Sequence, residues 1–130
     1  MVKLVTYGSL TRSDNAKDRY VQVREAQLHD LLRAMLTSIE VDERWYRNRY
    51  RDIDAAINSG KIESARAHYI NVGYFENRIP RQFTVDPDWY LMTYSDVKHA
   101  IQESLIRTAQ DHFENAGYKE GRKPYENWSL

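Results

Sequence analysis

The feature that most constrains the fold is an internal repeat. A shift of 44 residues aligns positions 41–80 with 85–124 without a gap, and about two fifths of the aligned positions are identical. A unit this small does not bury its own apolar face well, so two copies are expected to stack on a shared core. We therefore define repeat 1 as residues 41–84, repeat 2 as residues 85–124, and a C-terminal tail as residues 125–130.

Capping residues predict three short helices in each repeat. Asp42 and Asp86 occupy N-cap positions for the first helix, and Pro87 follows at the first helical position, where proline is favoured. Ser64 and Thr108 are placed to cap the third helix. The two copies thus predict the same succession of helices.

Two further residue types in the repeat suggest where helices begin and end. Asp52 and Asp96 are expected to cap the second helix. Gly73 and Gly117 are expected to end the third helix in the left-handed conformation that glycine adopts readily. These positions are assigned structural roles.

The first 40 residues do not belong to the repeat. A short irregular or strand-like start at residues 3–10 precedes a polar stretch and a predicted helix over about 18–40. The helix carries an apolar stripe at Leu28, Leu32, Met35 and Ile39, which must be covered. It either packs on the repeats of the same chain or forms a homo-oligomeric bundle with copies of itself. The predicted fold class is all-α.

Composition excludes several classes of function. Nineteen Lys and Arg balance nineteen Asp and Glu, so the chain as a whole is not an electrostatic nucleic-acid binder. The absence of cysteine excludes disulfide and thiolate chemistry. No apolar run approaches the roughly 20 residues that a membrane helix needs, so no membrane insertion is expected. The default expectation is a cytoplasmic protein, with association to a cell envelope or a particle left open.

The histidines at equivalent repeat positions are the obvious candidates for chemistry. His68 and His112 have no neighbouring ligand set that fits a metal. We expect each ring nitrogen to bond a neighbouring backbone group or the nearby Asp52 or Asp96. No phosphate-binding glycine loop and no nucleophile–histidine–carboxylate motif occurs. The sequence therefore predicts no catalytic residues, no metal, no cofactor and no enzyme activity.

Other residues that recur in both repeats are interpreted as structural. Arg78 and Arg122 are expected to pair with the neighbouring glutamates or with Asp52 and Asp96. The recurring aromatic residues supply the large buried area that small units need. They are Trp45, Trp89, Tyr50 and Tyr94.

Two groups of residues are candidates for contacts with a ligand or partner. The first is an arginine group found in repeat 1 only: Arg44, Arg47, Arg49 and Arg51. It can face a sugar acid, a phosphate or an acidic protein surface, or simply be solvated. The second group is Tyr125 and Trp128 in the tail, which either cap the open end of repeat 2 or anchor a partner.

The repeat resembles a bacterial unit of the pattern WYxxxYxDV…H[YF]xxxGxxEGRxP. The resemblance covers residues 41–124, and repeat 2 is the closer copy, since Asn77 in repeat 1 stands where the pattern has glycine. Asn77 and its counterpart Gly121 both tolerate positive φ, which predicts a tight turn. Similar units occur in tandem in bacterial proteins concerned with surface polysaccharide, commonly beside glycosyltransferase domains.

The resemblance implies a non-enzymatic binding module associated with bacterial surface polysaccharide or its machinery. The alternative is a structural or assembly component, such as a spike, adaptor or connector of a phage-like particle or another homo-oligomeric complex. The expected partners are a glycan, a protein, or both.

Overall fold

The computed structural model describes residues 21–130. Within this range the chain forms seven α-helices and no strand, which confirms the all-α fold class. The predicted strand-like start at residues 3–10 lies outside the described residues.

The two repeats contain matching sets of helices. Helix α1, Glu25–Leu36, precedes them. Repeat 1 contains α2 (Glu43–Arg49), α3 (Arg51–Asn58) and α4 (Ala65–His68), which continues into a π-helical turn, Tyr69–Gly73. Repeat 2 contains α5 (Pro87–Thr93), α6 (Ser95–Gln102) and α7 (Ala109–His112), which continues into a π-helical turn, Phe113–Gly117. The tandem arrangement of three-helix repeats follows the prediction.

The predicted N-caps of the first and third helices are confirmed. The Asp42 carboxylate accepts a hydrogen bond from the Trp45 amide at 2.9 Å, and Asp86 does the same for Trp89 at 3.1 Å. The Ser64 and Thr108 hydroxyls accept bonds from the amides three residues on, both at 3.0 Å. Each cap satisfies a helix N–H that has no intrahelical partner.

The predicted capping role of Asp52 and Asp96 is wrong. Helices α3 and α6 begin at Arg51 and Ser95, the residues just before the aspartates, so each aspartate lies in the first turn instead of at the cap. A single non-helical residue, Tyr50 or Tyr94, separates each helix from the one before it. The aspartates are left to bond elsewhere.

The predicted left-handed conformation of Gly73 and Gly117 is also wrong. Both lie inside the π-helical turns, and neither has positive φ. The predicted tight turn comes a few residues later and is confirmed, since Asn77 has φ 59° and Gly121 has φ 77°.

The N-terminal helix is shorter than predicted. Helix α1 has 12 residues and begins at Glu25, after Arg24 in an extended conformation. Thr37 and Ser38 follow it, and their hydroxyls donate to the carbonyls of Ala34 and Met35 at 2.7 and 2.9 Å. Such local side-chain bonds compete with helix continuation, which accounts for the early end.

The chain divides into two compact units between Ile39 and Glu40, and both repeats belong to the second unit. Each repeat is closed by a bond between its start and its end. The Asp42 amide donates to the Pro80 carbonyl at 3.1 Å, and the Asp86 amide donates to the Pro124 carbonyl at 3.0 Å. The buried apolar cluster of this unit comprises Ile79, Phe83, Val85, Tyr90, Val97, Ala109 and Phe113.

Candidate functional site

A tyrosine–histidine pair links the first and third helices of each repeat, buried in repeat 1 and partly buried in repeat 2. The Tyr46 hydroxyl on α2 lies 2.8 Å from Nδ1 of His68 on α4, and the Tyr90 hydroxyl lies 2.8 Å from Nδ1 of His112. The predicted histidine partners, a backbone group or Asp52 and Asp96, are therefore wrong. Tyrosine and histidine are 22 residues apart in both copies, so the three-helix fold brings them together.

Gly73 in repeat 1 and Gly117 in repeat 2 are required by these pairs. A Cβ atom at Gly73 would collide with the Tyr46 hydroxyl, and a Cβ atom at Gly117 would collide with the Tyr90 hydroxyl. Glycine is thus needed for close approach of a side chain to the backbone, not for an unusual φ.

Burial favours the uncharged forms of both groups in each tyrosine–histidine pair. Burial raises the pKa of Tyr46, and it raises the pKa of Tyr90 to about 12. Burial also lowers the pKa of His68 and His112, helped by the nearby Arg78 and Arg122 guanidinium groups. A protonated phenol beside a neutral imidazole is a satisfied buried polar pair, which is costly to break.

A second polar cluster links the start of α3 to the turn around Asn77 and Arg78, which we call the closing turn of repeat 1. The Arg78 guanidinium donates to both carboxylate oxygens of Asp52 at 3.3 and 3.1 Å, and its Nε donates to Glu76 at 2.9 Å. It also lies 4.9 Å from the centroid of the Tyr50 ring. Hydrogen bonding from Arg78 lowers the pKa of Asp52.

Repeat 2 contains the same cluster with shorter bonds. Arg122 donates to the two oxygens of Asp96 at 2.8 and 2.7 Å and to Glu120 at 2.8 Å. Its guanidinium lies 4.9 Å from the Tyr94 ring centroid. Hydrogen bonding from Arg122 lowers the pKa of Asp96 to about 2. These planar, bidentate contacts fix the closing turn against the second helix of the repeat.

The recurring aromatics differ in depth. Tyr46 and Tyr90 are fully buried, whereas the predicted core aromatics are only partly buried: Trp45, Trp89, Tyr50 and Tyr94. The hydroxyl of Tyr50 accepts a bond from the Ile79 amide at 2.7 Å, and that of Tyr94 accepts one from the Lys123 amide at 2.9 Å. These two tyrosines hold the closing turn as well as packing in the core.

Three of the four arginines predicted as ligand contacts bond within the chain. Arg47 donates to Asp54 at 2.7 Å, and Arg51 lies 3.7 Å from the same carboxylate. Arg49 donates to backbone and side-chain oxygens of repeat 2. Arg44 is exposed to solvent. The structure therefore does not gather the four into one cationic site.

The two tail aromatics occupy different environments. Trp128 packs edge-on against Phe83, Phe113 and Tyr118, with ring centroids 5.3, 6.3 and 6.3 Å away. Tyr125 is 40% exposed. Trp128 therefore covers the end of repeat 2, while Tyr125 stays accessible.

The N-terminal stripe is only partly a helix face. Leu28 and Met35 lie on α1 and are 41% and 62% exposed. Leu32 is half-buried on the same helix, and Ile39 is half-buried beyond its end.

A groove runs along the junction of the two repeats. Repeat 1 lines it with Arg49, Tyr50, Glu76, Asn77 and Arg78, and repeat 2 with Glu114, Asn115, Tyr118 and Lys119. Nη2 of Arg49 crosses the junction and donates to the Glu114 carbonyl at 3.0 Å and to the Asn115 side-chain oxygen at 2.9 Å. The groove has a volume of about 350 Å³, within the roughly 300–1,000 Å³ of small-molecule sites.

The sequence interpretation missed Tyr46 and Tyr90 as partners of the histidines. Both tyrosines recur at the same repeat position, and this recurrence was the available signal. It also missed Glu43, whose carboxylate accepts bonds from the amides of Ala65 and Arg66, both at 3.0 Å. Proline occupies the equivalent position in repeat 2, so no repetition marked this contact.

No family model matches the chain, and neither a curated protein nor a solved structure matches it. Across residues 21–130 no group of acidic or histidine side chains is arranged to hold a metal ion. None of the helices in that part of the chain is long and apolar enough to cross a membrane.

Proposed function

We propose that the chain is a non-enzymatic binding module associated with bacterial surface polysaccharide or its machinery. One observation carries the proposal: polar residues recurring in both repeats are bonded to each other within each repeat. The tyrosine–histidine pairs and the Arg78 and Arg122 clusters stabilise the same fold in each of the two repeats. Binding then falls to exposed residues that differ between the repeats. The direction toward glycan comes from the motif resemblance over residues 41–124.

The state of the titratable groups argues against catalysis. A general acid or base must reach substrate with its proton. Nδ1 of His68 is bonded to a buried phenol, and the Asp52 carboxylate is occupied by Arg78. Repeat 2 contains the same bonds, so a fold-stabilising role is the simplest account of the histidine and the aspartate in each repeat. We keep the cytoplasm as the default compartment, where the module would contact the machinery associated with the cell envelope.

Titration calorimetry tests the binding proposal. The intact chain is titrated with an acidic polysaccharide, hyaluronate, and with a neutral polysaccharide, dextran. Saturable heat with at least one polymer is the expected result, together with no new reducing ends after prolonged incubation. No heat at millimolar sugar units would overturn the binding proposal, and release of reducing ends would overturn its non-enzymatic part.

A second candidate function is a structural or assembly component of a phage-like particle or another homo-oligomeric complex. The observation that favours it is the apolar surface of α1, where Leu28, Leu31 and Met35 are 41%, 49% and 62% exposed. Light scattering across a wide protein concentration range is the test. Association lost in the double variant Leu28→Glu and Met35→Glu would support this function, and a strict monomer at the highest concentration would contradict it.

A further inference from the structure

Three residues that line the groove at the repeat junction differ in kind from their counterparts in the other repeat. Arg49 aligns with Thr93 in the other repeat, and Lys119 aligns with Phe75. Glu114 likewise has an apolar counterpart, an isoleucine at position 70. Charged side chains therefore appear at the junction where the equivalent positions of the other repeat are uncharged.

Two of the groove cations have no carboxylate partner. Arg78 is paired with Glu76 in the groove wall at 2.9 Å, and with Asp52, which does not line the groove, at 3.1 Å. Within residues 21–130, no ion pair involves Arg49 or Lys119. Arg49 gives Nη2 to neutral oxygens of repeat 2, and its charge is left uncompensated. Against these two cations the groove offers one unpaired carboxylate, that of Glu114.

The remaining wall combines polar and aromatic side chains. Asn77 is held at φ 59° in the tight turn that closes repeat 1, which places this residue at the groove edge. Tyr50 and Tyr118 are half-buried and contribute their side chains to the wall. A ligand that fits here is small, presents hydroxyl groups to amide and carboxylate acceptors, and carries one negative charge.

We propose that this groove binds a carboxylated sugar, such as one hexuronate unit of an acidic glycan. The sugar carboxylate pairs with Lys119 and with the Arg49 guanidinium, and the ring hydroxyls bond Asn77 and Glu114. This inference rests on the proposed glycan-binding function and names the class of sugar and the site. An acidic peptide shares the carboxylate but offers backbone N–H groups, instead of ring hydroxyls, to the acceptors in the wall.

Chemical-shift mapping by NMR tests the site. The intact chain is titrated with sodium glucuronate, with glucose as the neutral match and with tetraglutamate as the acidic peptide. Glucuronate is expected to bind in the millimolar range and to shift amides of residues 76–78 and 114–119. Glucose is expected to bind at least about five-fold more weakly, since a charge-assisted hydrogen bond of about 1 kcal/mol or more is missing.

The variant Lys119→Gln removes one groove cation, and Lys98→Gln is its control. Lys98 is exposed on α6 and does not line the groove, so its substitution changes the net charge equally. Lys119→Gln is expected to weaken glucuronate binding by about five-fold or more, while Lys98→Gln leaves it unchanged. Equal weakening by both variants would mean a non-specific charge effect and would overturn the site.

Other outcomes separate this inference from the proposed function. If hyaluronate binds but Lys119→Gln has no effect and the shifts map elsewhere, the groove assignment fails and the binding function stands. If no glycan binds at all, both fail. Equal binding of tetraglutamate and glucuronate, lost together in Lys119→Gln, would assign the groove to acidic peptides and overturn the sugar.

Discussion

Substituting Gly73 by alanine tests the reasoning about the tyrosine–histidine pair. A methyl group at this position would meet the Tyr46 hydroxyl, which is fully buried and bonded to His68. The hydroxyl cannot move without breaking that bond or displacing neighbouring core side chains. Gly73 has no positive φ, so the backbone itself accepts alanine.

The expected sign is opposite to the usual one. Replacing glycine by alanine inside a helix normally stabilises by about 0.5–1 kcal/mol. Here a broken buried hydrogen bond costs about 1–3 kcal/mol, and overpacking adds about 1–3 kcal/mol. We therefore expect Gly73→Ala to lower the free energy of unfolding by about 1–5 kcal/mol after the helix gain is subtracted.

Urea unfolding followed by tryptophan fluorescence measures this change, because all three tryptophans of the chain lie in residues 40–130. Tyr46→Phe removes the obstructing hydroxyl, so the double variant should cost at least about 1 kcal/mol less than the sum of the single variants. A Gly73→Ala protein as stable as the parent, or strict additivity in the double variant, would refute the close-contact argument.

Three further predictions follow from the same contacts. Because the folded-state pKa of Asp96 is depressed to about 2, its pairing with Arg122 stabilises the fold above about pH 4 and is lost as the pH falls toward 2. The urea midpoint of Asp96→Asn should therefore fall less with acid than that of the parent, and an equal fall would contradict the pairing. Because burial lowers the pKa of His68 and His112, both imidazoles should titrate below the ordinary value of 6.5 by NMR, and the free energy of unfolding should decrease as the pH drops below 6.5. A titration midpoint above 6.5 for either ring would be inconsistent with a neutral imidazole in the pair. Trp128→Ala should lower the free energy of unfolding by about 2 kcal/mol, less than the roughly 3–5 kcal/mol of a fully buried tryptophan, while Tyr125→Ala should lower it by under about 0.5 kcal/mol. Equal effects in urea unfolding would show that the two side chains do not differ in packing.

Local rules predicted most of the repeat fold. A side-chain oxygen before a helix satisfies a specific backbone N–H, so Asp42, Asp86, Ser64 and Thr108 could be placed from sequence alone. The tight turn at Asn77 was predictable for a similar reason, since few residues tolerate positive φ.

The errors came from contacts made across the repeat. Gly73 satisfied the rule for a helix C-terminus, but the feature that requires glycine is a tyrosine hydroxyl 27 residues earlier in the chain. Asp52 was a plausible cap, yet α3 already begins at Arg51, which leaves the Asp52 carboxylate for Arg78. The groove depends on how two repeats meet, which no spacing within one repeat encodes. Pairing residues that recur together, such as Tyr46 and His68, was the inference available from sequence.

The central claim is that one folded unit is used twice, with its recurring tyrosine, histidine and glycine packed together in each copy. Nuclear Overhauser contacts between the tyrosine ring and the glycine Hα protons measure this directly in solution. We expect the contact from Tyr46 to Gly73 and the equivalent contact from Tyr90 to Gly117 to appear with similar strength. A contact present in one repeat and missing in the other, or histidine rings with no proximity to either tyrosine, would contradict the account.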